Sequence, residues 1–386
     1  MISILAIYLF CDYVGSSSQL SHIYSSIHES KEISIEHGII DADNNATDLN
    51  HPVVLFKLVS KLYRMNVLSG VDLLGAAAGI INLLKTYNIS KAELEEVGEL
   101  KEDHKFDDED DLLLLQVQQL LEEQDGEDVD NNFPSLEDSC GEHLTIFTGD
   151  QYCYIENDIK NLFIQVEVLS SNPSIKLYHQ VYSQHEVNNI LSIVRKRPLT
   201  HMYEIYEEYL RDLPVNKVYQ SLFFHSKEIN PREVDDFIKT RHFGREGKIV
   251  FPENSSADVE MIERKLVKFN IITPEQRNKA NLQIGTYGIG GYLTPHFDTF
   301  RQPGDQIDTD AGFEEWRETV MGFLSTVPHG GKTVFPRLGL QIKPRAGDVL
   351  VWTNIDQHNQ IYLNSLHAGC PVVYGEKWVF NKWVLQ

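Results

Sequence analysis

The stretch LQIGTYGIGGYLTPHFDTF, residues 282–300, decides the fold of this chain. Its first six residues are typical of a β-strand, and the glycines from Gly288 to Gly291 indicate a turn that ends the strand. His296 and Asp298 follow, two residues apart. Side chains at positions i and i+2 of a strand share a face, so we expect both to point into the interior of a barrel.

The region after residue 282 is predicted to consist mostly of short strands separated by Gly and Pro. The predicted strands are Leu282–Tyr287, Thr319–Leu324, Lys332–Phe335, Leu340–Lys343, Asp348–Thr353 and Lys377–Leu385. Many short strands with regular turns indicate a sandwich or barrel, such as a double-stranded β-helix of the jelly-roll type.

Helical patterns dominate the sequence before this region. Residues 49–125 have apolar residues at helical spacing, and Ser90 with Glu93 forms a capping-box pattern. Further helices are predicted at Glu186–Arg195, Glu204–Leu213, Pro231–Thr240 and Asp258–Phe269, with a strand at Ile175–Tyr182. The fold class is therefore predicted as α+β, with a C-terminal double-stranded β-helix and flanking helices preceded by a smaller all-α region.

Composition limits the classes of partner. The 386 residues carry a formal net charge of −23, which makes nucleic acid an unlikely partner because the phosphate backbone is also anionic. An acidic run at Asp107–Asp111 precedes a predicted helix at Leu112–Leu121, where carboxylates favour the helix dipole. No apolar stretch after the N-terminus is long enough to predict a membrane span.

The first residues predict entry into the secretory pathway. An apolar run from Ile2 to Phe10 is followed by small residues, which is typical of a signal peptide over residues 1–18. A buried N-terminal strand or helix is the alternative. Sequons at Asn45, Asn88 and Asn254 also favour a glycoprotein of the endoplasmic reticulum lumen.

An acidic segment that ends at Cys140, together with the cysteines, indicates how the chain is divided. Cys140 and Cys153 are close enough in sequence to close a small disulfide loop in an oxidising lumen, which would leave Cys370 as a buried thiol. The predicted organisation has four parts: the signal at 1–18, a helical region at 19–125, an acidic linker with the cysteine loop at 126–164, and the catalytic domain at 165–386.

One set of polar residues has the composition of a metal centre. Two histidines and one carboxylate are the protein ligands of non-haem Fe(II) oxygenases, and His367 can join His296 and Asp298 if its strand folds back beside theirs. Lys377 begins the last predicted strand, and inside a barrel it would need an anion such as a dicarboxylate co-substrate. The ordinary alternative is that an H-x-D pair and a strand lysine both lie on the surface.

Several longer motifs resemble the catalytic domain of collagen prolyl 4-hydroxylase α subunits. They are YGIGGYLTPHFDTF (287–300), GGKTVFP (330–336), KPRAGDVLVW (343–352) and HAGCPVVYGEKWVFNKW (367–383). The N-terminal segments HPVVLFKLVSKL (51–62) and GAAAGIINLLKTYNI (75–89) also resemble segments that precede the peptide-binding domain of that family.

The resemblance implies roles for individual residues. His296, Asp298 and His367 would bind Fe(II), Lys377 would pair with the distal carboxylate of 2-oxoglutarate, and Tyr287 would line the co-substrate pocket. It further implies O₂ as the second co-substrate, ascorbate as a cofactor, and a disulfide roughly at the two cysteines before the catalytic domain.

The implied activity resembles that of procollagen-proline 4-dioxygenase. It would hydroxylate proline in a peptide or protein while 2-oxoglutarate is decarboxylated to succinate and CO₂, and protein disulfide isomerase is a possible partner subunit. One departure matters: Leu385 stands where the family has a histidine that assists co-substrate binding. An alternative function is therefore a catalytically impaired paralogue that acts as a binding or assembly subunit.

Overall fold

This computed structural model describes most of the β-rich region and parts of the helical region before it. The described residues are 51–64, 70–97, 105–108, 110–115, 118, 134, 136–140, 151–156, 163–201, 247–278, 282–299 and 316–385. Four predictions lie outside them: the signal segment, the sequon at Asn45, and the helices at Glu204–Leu213 and Pro231–Thr240.

Residues 110–115 are helical, and six further α-helices with defined bounds are found in the described part of the chain. They are α1 (Pro52–Arg64), α2 (Gly70–Tyr87), α3 (Lys91–Glu96), α4 (Leu136–Cys140), α5 (Gln184–Val194) and α6 (Ala257–Lys268). The capping box predicted at Ser90 is present, with the Ser90 side chain accepting from the amide of Glu93. Helices α1 to α3 confirm the predicted all-α character of the described N-terminal segments.

Fifteen strands occur in the same described ranges. They are β1 (Tyr152–Glu156), β2 (Ile164–Ser171), β3 (Ser174–Tyr178), β4 (Thr200–His201), β5 (Lys248–Val250), β6 (Leu282–Tyr287), β7 (Leu293–His296), β8 (Trp316–Phe323), β9 (His329–Gly330), β10 (Thr333–Phe335), β11 (Leu340–Ile342), β12 (Val349–Thr353), β13 (His367–Gly369), β14 (Val372–Tyr374) and β15 (Lys377–Leu385). Every strand predicted from the sequence is present, and β6 and β15 have the predicted bounds.

The strands form a large sheet, a smaller facing sheet and a two-stranded sheet. The large sheet has nine strands in the order β1-β2-β3-β12-β8-β15-β6-β5-β4, and the smaller has four in the order β11-β10-β13-β7. A two-stranded sheet joins β14 to β9. The pairings within the sheets are antiparallel, and the two larger sheets share an apolar core, which confirms the predicted double-stranded β-helix.

Alternation along β15 separates the two faces of the large sheet. Val379 packs into the core between the sheets, whereas Trp378 and Phe380 pack against α5 and α6 on the outer face. Lys382 also points to the outer face, where its Nζ lies 2.6 Å from a carboxylate oxygen of Glu263 in α6. The helices therefore hold the large sheet from outside and leave its inner face to the site.

The N-terminal helices pack directly on the β-rich region. Ile289 and Val373 belong to the same buried apolar cluster as α1, α2 and α3. The hydroxyl of Tyr87, at the end of α2, donates to the carbonyl oxygen of Pro371. Burial raises the pKa of this hydroxyl, so Tyr87 remains a hydrogen-bond donor at neutral pH. These contacts fix the helices beside the glycine-rich turn and the segment that follows β13.

The cysteine pairing predicted from the sequence is wrong. Cys140 forms a disulfide with Cys370, across a sequence separation of 230 residues, whereas Cys153 is a free, exposed thiol. The reason is structural: α4 packs on the small sheet and brings Cys140 next to Cys370, while Cys153 lies on β1 in the large sheet. Residues 152–156 of the predicted linker are likewise a strand of the large sheet.

The acidic run near residue 110 has a structural role. Lys57 of α1 donates to the carboxylates of Asp107 and Asp110, both at 2.9 Å, and Asp110 is almost completely buried. These ion pairs give two carboxylates of the run a structural partner. No described helix is both long and apolar enough to cross a membrane.

Candidate active site

The structure brings the three predicted metal ligands together between the sheets. His296 on β7 lies directly opposite His367 on β13, and Asp298 follows two residues after the end of β7. One ligand atom from each residue can be chosen so that all lie within 4.8 Å of one another. The prediction that a later strand folds back beside the first is confirmed, although Asp298 lies just beyond the strand.

Backbone hydrogen bonds orient both imidazoles. His296 Nδ1 lies 2.8 Å from the carbonyl oxygen of Thr294, and His367 Nδ1 lies 3.0 Å from that of Ser365. A carbonyl can only accept, so each neutral ring carries its proton on Nδ1 and its lone pair on Nε2. This arrangement fixes the ring orientation that metal-binding histidines commonly have.

The carboxylate of Asp298 lies between the two Nε2 atoms. Its Oδ1 is 3.7 Å from His296 Nε2, and its Oδ2 is 3.7 Å from His367 Nε2. Two imidazoles and one carboxylate grouped in this way fit a divalent iron. The donor set therefore fits the metal that the sequence predicted.

Aromatic side chains surround the inner histidine. The ring of His367 lies 4.7 Å from the ring of Trp352 and 5.8 Å from that of Phe335, measured between centroids. Its side chain is 4% exposed, against 12% for His296 and for Asp298. Aromatic rings thus cover His367, and His296 is the more exposed of the two histidines.

The buried side chain of Lys377 reaches β10 and β13 of the small sheet. Its Nζ lies 3.2 Å from the hydroxyl of Thr333, and a Cβ built on Gly369 would lie 3.9 Å from it. Gly369 is two residues after His367 on β13, so the ammonium lies beside the strand that carries a metal ligand. Burial lowers the pKa of Lys377 to about 7, because the charged form loses its hydration.

Tyr287 forms the wall behind this ammonium. It lies directly opposite Lys377 in the ladder between β6 and β15, and Lys377 Nζ is 5.8 Å from the centre of its ring. At that distance the electron-rich face of the ring attracts a cation. Tyr287 and Lys377, which the sequence predicts to contact the co-substrate, therefore lie side by side.

Two stacked tryptophans lie near the end of β15. Trp316 and Trp383 stack with ring centroids 4.5 Å apart and an interplanar angle of 15°. Trp383 lies opposite Thr319 on β8, and Leu385 lies opposite Trp316. The residue that replaces the expected histidine therefore extends an apolar wall at the end of β15.

Sequence reasoning missed three polar residues of the site. Thr319 donates to Asp298 at 2.8 Å, Asn354 donates to Thr319 at 2.9 Å, and Thr333 accepts from Lys377. Thr333 lies within the quoted motif GGKTVFP, which could have identified it. Thr319 and Asn354 stand in ordinary strand and loop sequences, where a single polar residue carries no signal.

A protein-family model matches the segment that carries the site. Residues 282–385 match the model of the 2OG-Fe(II) oxygenase superfamily. This segment contains the three proposed metal ligands, Lys377 and Tyr287, as well as the strands that carry them.

Curated relatives include prolyl 4-hydroxylase α subunits. The chain is 28% identical over 236 residues to prolyl 4-hydroxylase subunit alpha-1 of Caenorhabditis elegans, covering 60% of this chain and 37% of that protein. It is 33% identical over 126 residues to prolyl 4-hydroxylase subunit alpha-1 of Homo sapiens, covering 33% of this chain and 23% of that protein. The chain thus spans well under half the length of these relatives.

Among solved structures, the chain is similar to a viral collagen prolyl hydroxylase from Paramecium bursaria chlorella virus-1 in complex with 2OG. The sequence identity is 20% and the TM-score is 0.36, over 55% of this chain and 95% of that one.

Proposed function

From the 2OG-Fe(II) oxygenase domain at residues 282–385, related to prolyl 4-hydroxylases, we propose that this protein hydroxylates proline in a peptide or protein. The observation that carries the proposal is the cluster of His296, Asp298 and His367, with Lys377 buried beside the strand that carries His367. In the balanced reaction, proline, O₂ and 2-oxoglutarate give hydroxyproline, succinate and CO₂.

The protein would hold the metal on one side only. His296 and His367 each present the Nε2 lone pair because Nδ1 is bound to a backbone carbonyl, and Asp298 supplies the negative charge. Iron bound there would supply the oxygen activation that couples decarboxylation to hydroxylation. The rings of Trp352 and Phe335 would exclude water from the inner side.

Lys377 would recognise the distal carboxylate of 2-oxoglutarate. A buried ammonium whose pKa is lowered by desolvation is stabilised when an anion enters the pocket. The Thr333 hydroxyl, 3.2 Å from Nζ, is placed to bind the same carboxylate. The face of the Tyr287 ring would hold the ammonium in position from the opposite side.

A turnover assay tests the proposal. Purified protein would be incubated with Fe(II), ascorbate, 2-oxoglutarate and a proline-rich peptide, and both succinate and hydroxyproline would be measured. We expect the two products in equal amounts, and none from a His296→Ala variant. Failure of metal-loaded protein to turn over 2-oxoglutarate with any of a panel of proline-containing peptides would contradict the proposal.

Leu385 supports a second candidate function, a binding or assembly subunit with an impaired site. The leucine packs in register with Trp316 and offers no polar atom to the co-substrate. Retention of three metal ligands and a buried lysine favours the enzyme, since these groups are costly to bury without their partners. Metal analysis separates the two: a wild type that binds neither iron nor 2-oxoglutarate would favour the subunit.

We propose the endoplasmic reticulum lumen as the cellular setting. Asn88 and Asn254 are exposed, and a disulfide joins Cys140 to Cys370, both of which suit a glycoprotein of the endoplasmic reticulum lumen. Ascorbate as a cofactor and protein disulfide isomerase as a partner belong to the same proposal. Glycosidase treatment of protein from secreting cells would test the location, and co-purification with the isomerase would test the partner.

A further inference from the structure

We propose that Thr319 and Asn354 are positioning residues that set the orientation of the Asp298 carboxylate for metal binding. The inference rests on the metal site of the proposed function and adds two residues to it. Thr319 lies on β8 of the large sheet, facing Asp298, which follows β7 of the small sheet. The hydrogen bond between them, 2.8 Å from Thr319 Oγ1 to Asp298 Oδ2, therefore joins the two sheets at the metal site.

The direction of this hydrogen bond is fixed by Asn354. Asn354 Nδ2 lies 3.3 Å from the carbonyl oxygen of Trp316 and 2.9 Å from Thr319 Oγ1. The Trp316 carbonyl can only accept, so the nitrogen of the Asn354 amide must face it. The second N–H of that nitrogen then donates to the Thr319 hydroxyl. Because a hydroxyl has one proton, the proton of Thr319 is directed to Asp298.

Asn354 itself is held by the backbone. Its N–H donates to the carbonyl oxygen of Arg317 at 2.8 Å, and its carbonyl oxygen accepts from the N–H of Tyr362 at 2.9 Å. Both Asn354 and Thr319 are completely buried. Asn354 thus donates to Thr319, and Thr319 donates to Asp298. Backbone hydrogen bonds and burial hold this chain of hydrogen bonds in place.

Two tryptophans flank Thr319 in the large sheet. Trp352 and Trp383 are its register partners on β12 and β15. A valine at position 319 would fill the space of the buried hydroxyl with a methyl group, which leaves no room for a water molecule. Loss of the hydroxyl in this way would leave Asp298 Oδ2 without this donor.

The hydrogen bond from Thr319 determines which of the two Asp298 oxygens would bind the metal. Oδ2 of Asp298 accepts the proton of Thr319, whereas Oδ1 accepts no hydrogen bond from Thr319. Oδ1 is therefore the oxygen that is available to the metal. A carboxylate held in this way donates through one oxygen and leaves more positions for co-substrates. Residues that orient metal ligands in this manner typically change metal affinity by about 10- to 100-fold when they are replaced.

The test measures Mn²⁺ affinity in the absence of co-substrate, from the electron paramagnetic resonance signal of the free ion. Thr319→Val keeps the shape and removes the hydroxyl, and we expect it to weaken Mn²⁺ binding about tenfold or more. Thr319→Ser keeps the hydroxyl and should restore binding. Both variants would first be compared with the wild type by thermal unfolding.

Thr286→Val is the matched control. Thr286 is a buried threonine on β6, and its register partner Trp378 packs on the outer, helix-facing side of the large sheet. The control should bind Mn²⁺ like the wild type. The inference is overturned if Thr319→Val binds as tightly as the wild type, or if Thr286→Val loses as much affinity.

Two further outcomes are separable. If Thr319→Val does not fold, Asn354→Leu decides, because it releases the Thr319 hydroxyl without removing it; unchanged affinity would overturn the inference. If the wild type itself does not bind Mn²⁺, it is the proposed metal site that fails, irrespective of Thr319.

Discussion

Lys377 lies directly opposite Tyr287 in the ladder between the last strand and β6. One residue supplies a buried cation and the other an aromatic face 5.8 Å from it. Thr333 completes the pocket with a hydroxyl. The Lys377 ammonium lies beside Gly369 of β13, so residues of the large sheet proposed to bind 2-oxoglutarate lie next to the small-sheet strand that carries His367.

Replacement of Lys377 by methionine should abolish most of the affinity for 2-oxoglutarate. Truncating one partner of a buried charge pair costs about 2–5 kcal/mol, which corresponds to roughly 30-fold or more in the dissociation constant. Isothermal titration of the Mn²⁺-loaded protein would measure it. Lys343→Met is the control, because Lys343 is exposed; equal losses in both variants would contradict the assignment.

The affinity for 2-oxoglutarate should also depend on pH through Lys377. Its pKa is lowered to about 7 by burial, so the ammonium is present below that pH and is lost above it. Only the ammonium pairs with a carboxylate, so affinity should fall as pH rises above about 7, approaching about tenfold per pH unit. Below that pH the affinity should be nearly constant as far as this group is concerned.

Proton uptake provides a second measurement of the same effect. Binding of the carboxylate raises the pKa of Lys377, so at about pH 8 each binding event should take up a proton. Titrations in buffers with different ionisation enthalpies would detect that proton. An affinity that does not change between about pH 6.5 and 9, or a net release of protons, would show that Lys377 is not the group that pairs with the ligand.

The stability of the protein should depend strongly on both residues of the ion pair between Glu263 and Lys382. The two side chains are completely or almost completely buried, with 2.6 Å between Nζ and the carboxylate oxygen. Glu263→Leu alone should reduce the free energy of unfolding by roughly 3–5 kcal/mol, because it leaves the Lys382 charge buried without its carboxylate.

A double variant separates the pair from the loss of packing. Glu263→Leu combined with Lys382→Met removes both charges and should be more stable than either single variant. Chemical unfolding of the four proteins gives the coupling energy. If the losses from the two single variants simply add, the pair does not stabilise the contact between α6 and the sheet.

The disulfide between Cys140 and Cys370 is checked by peptide mapping. Digestion without reduction should give one linked pair that contains these two cysteines, while Cys153 should react with an alkylating reagent. A Cys140→Ser, Cys370→Ser variant should lose roughly 2–5 kcal/mol of stability, because the bond closes a long loop. A linked peptide that contains Cys153 would contradict this pairing.

The sequence predicted those parts of the fold that depend on local patterns. Strand β15 has the predicted bounds because its alternating residues face two different apolar layers. Two of the metal ligands were predictable because the H-x-D pattern places His296 and Asp298 on one face of a strand. Lys377 was predictable because its motif lies on the last strand. Asp298 nevertheless lies past the end of β7, since a pattern of two residues does not fix where a strand stops.

Contacts between distant segments were not predictable from the sequence. Cys140 had a nearer cysteine in sequence, and only the packing of α4 on the small sheet selects Cys370. In the same way, Thr319 and Asn354 became recognisable as part of the site only when their strands were aligned with Asp298. Such contacts depend on how distant segments pack in three dimensions. No local pattern in a single sequence indicates which segments these are.

The disulfide also gives the molecule a covalent ring. It spans 230 residues and includes β1 to β13, with both histidine ligands inside it. A single cleavage at an exposed loop within the ring would therefore leave both fragments attached, with the N-terminal helices still joined to the segment after His367. Protein nicked in this way should migrate as two pieces only after a reductant is added.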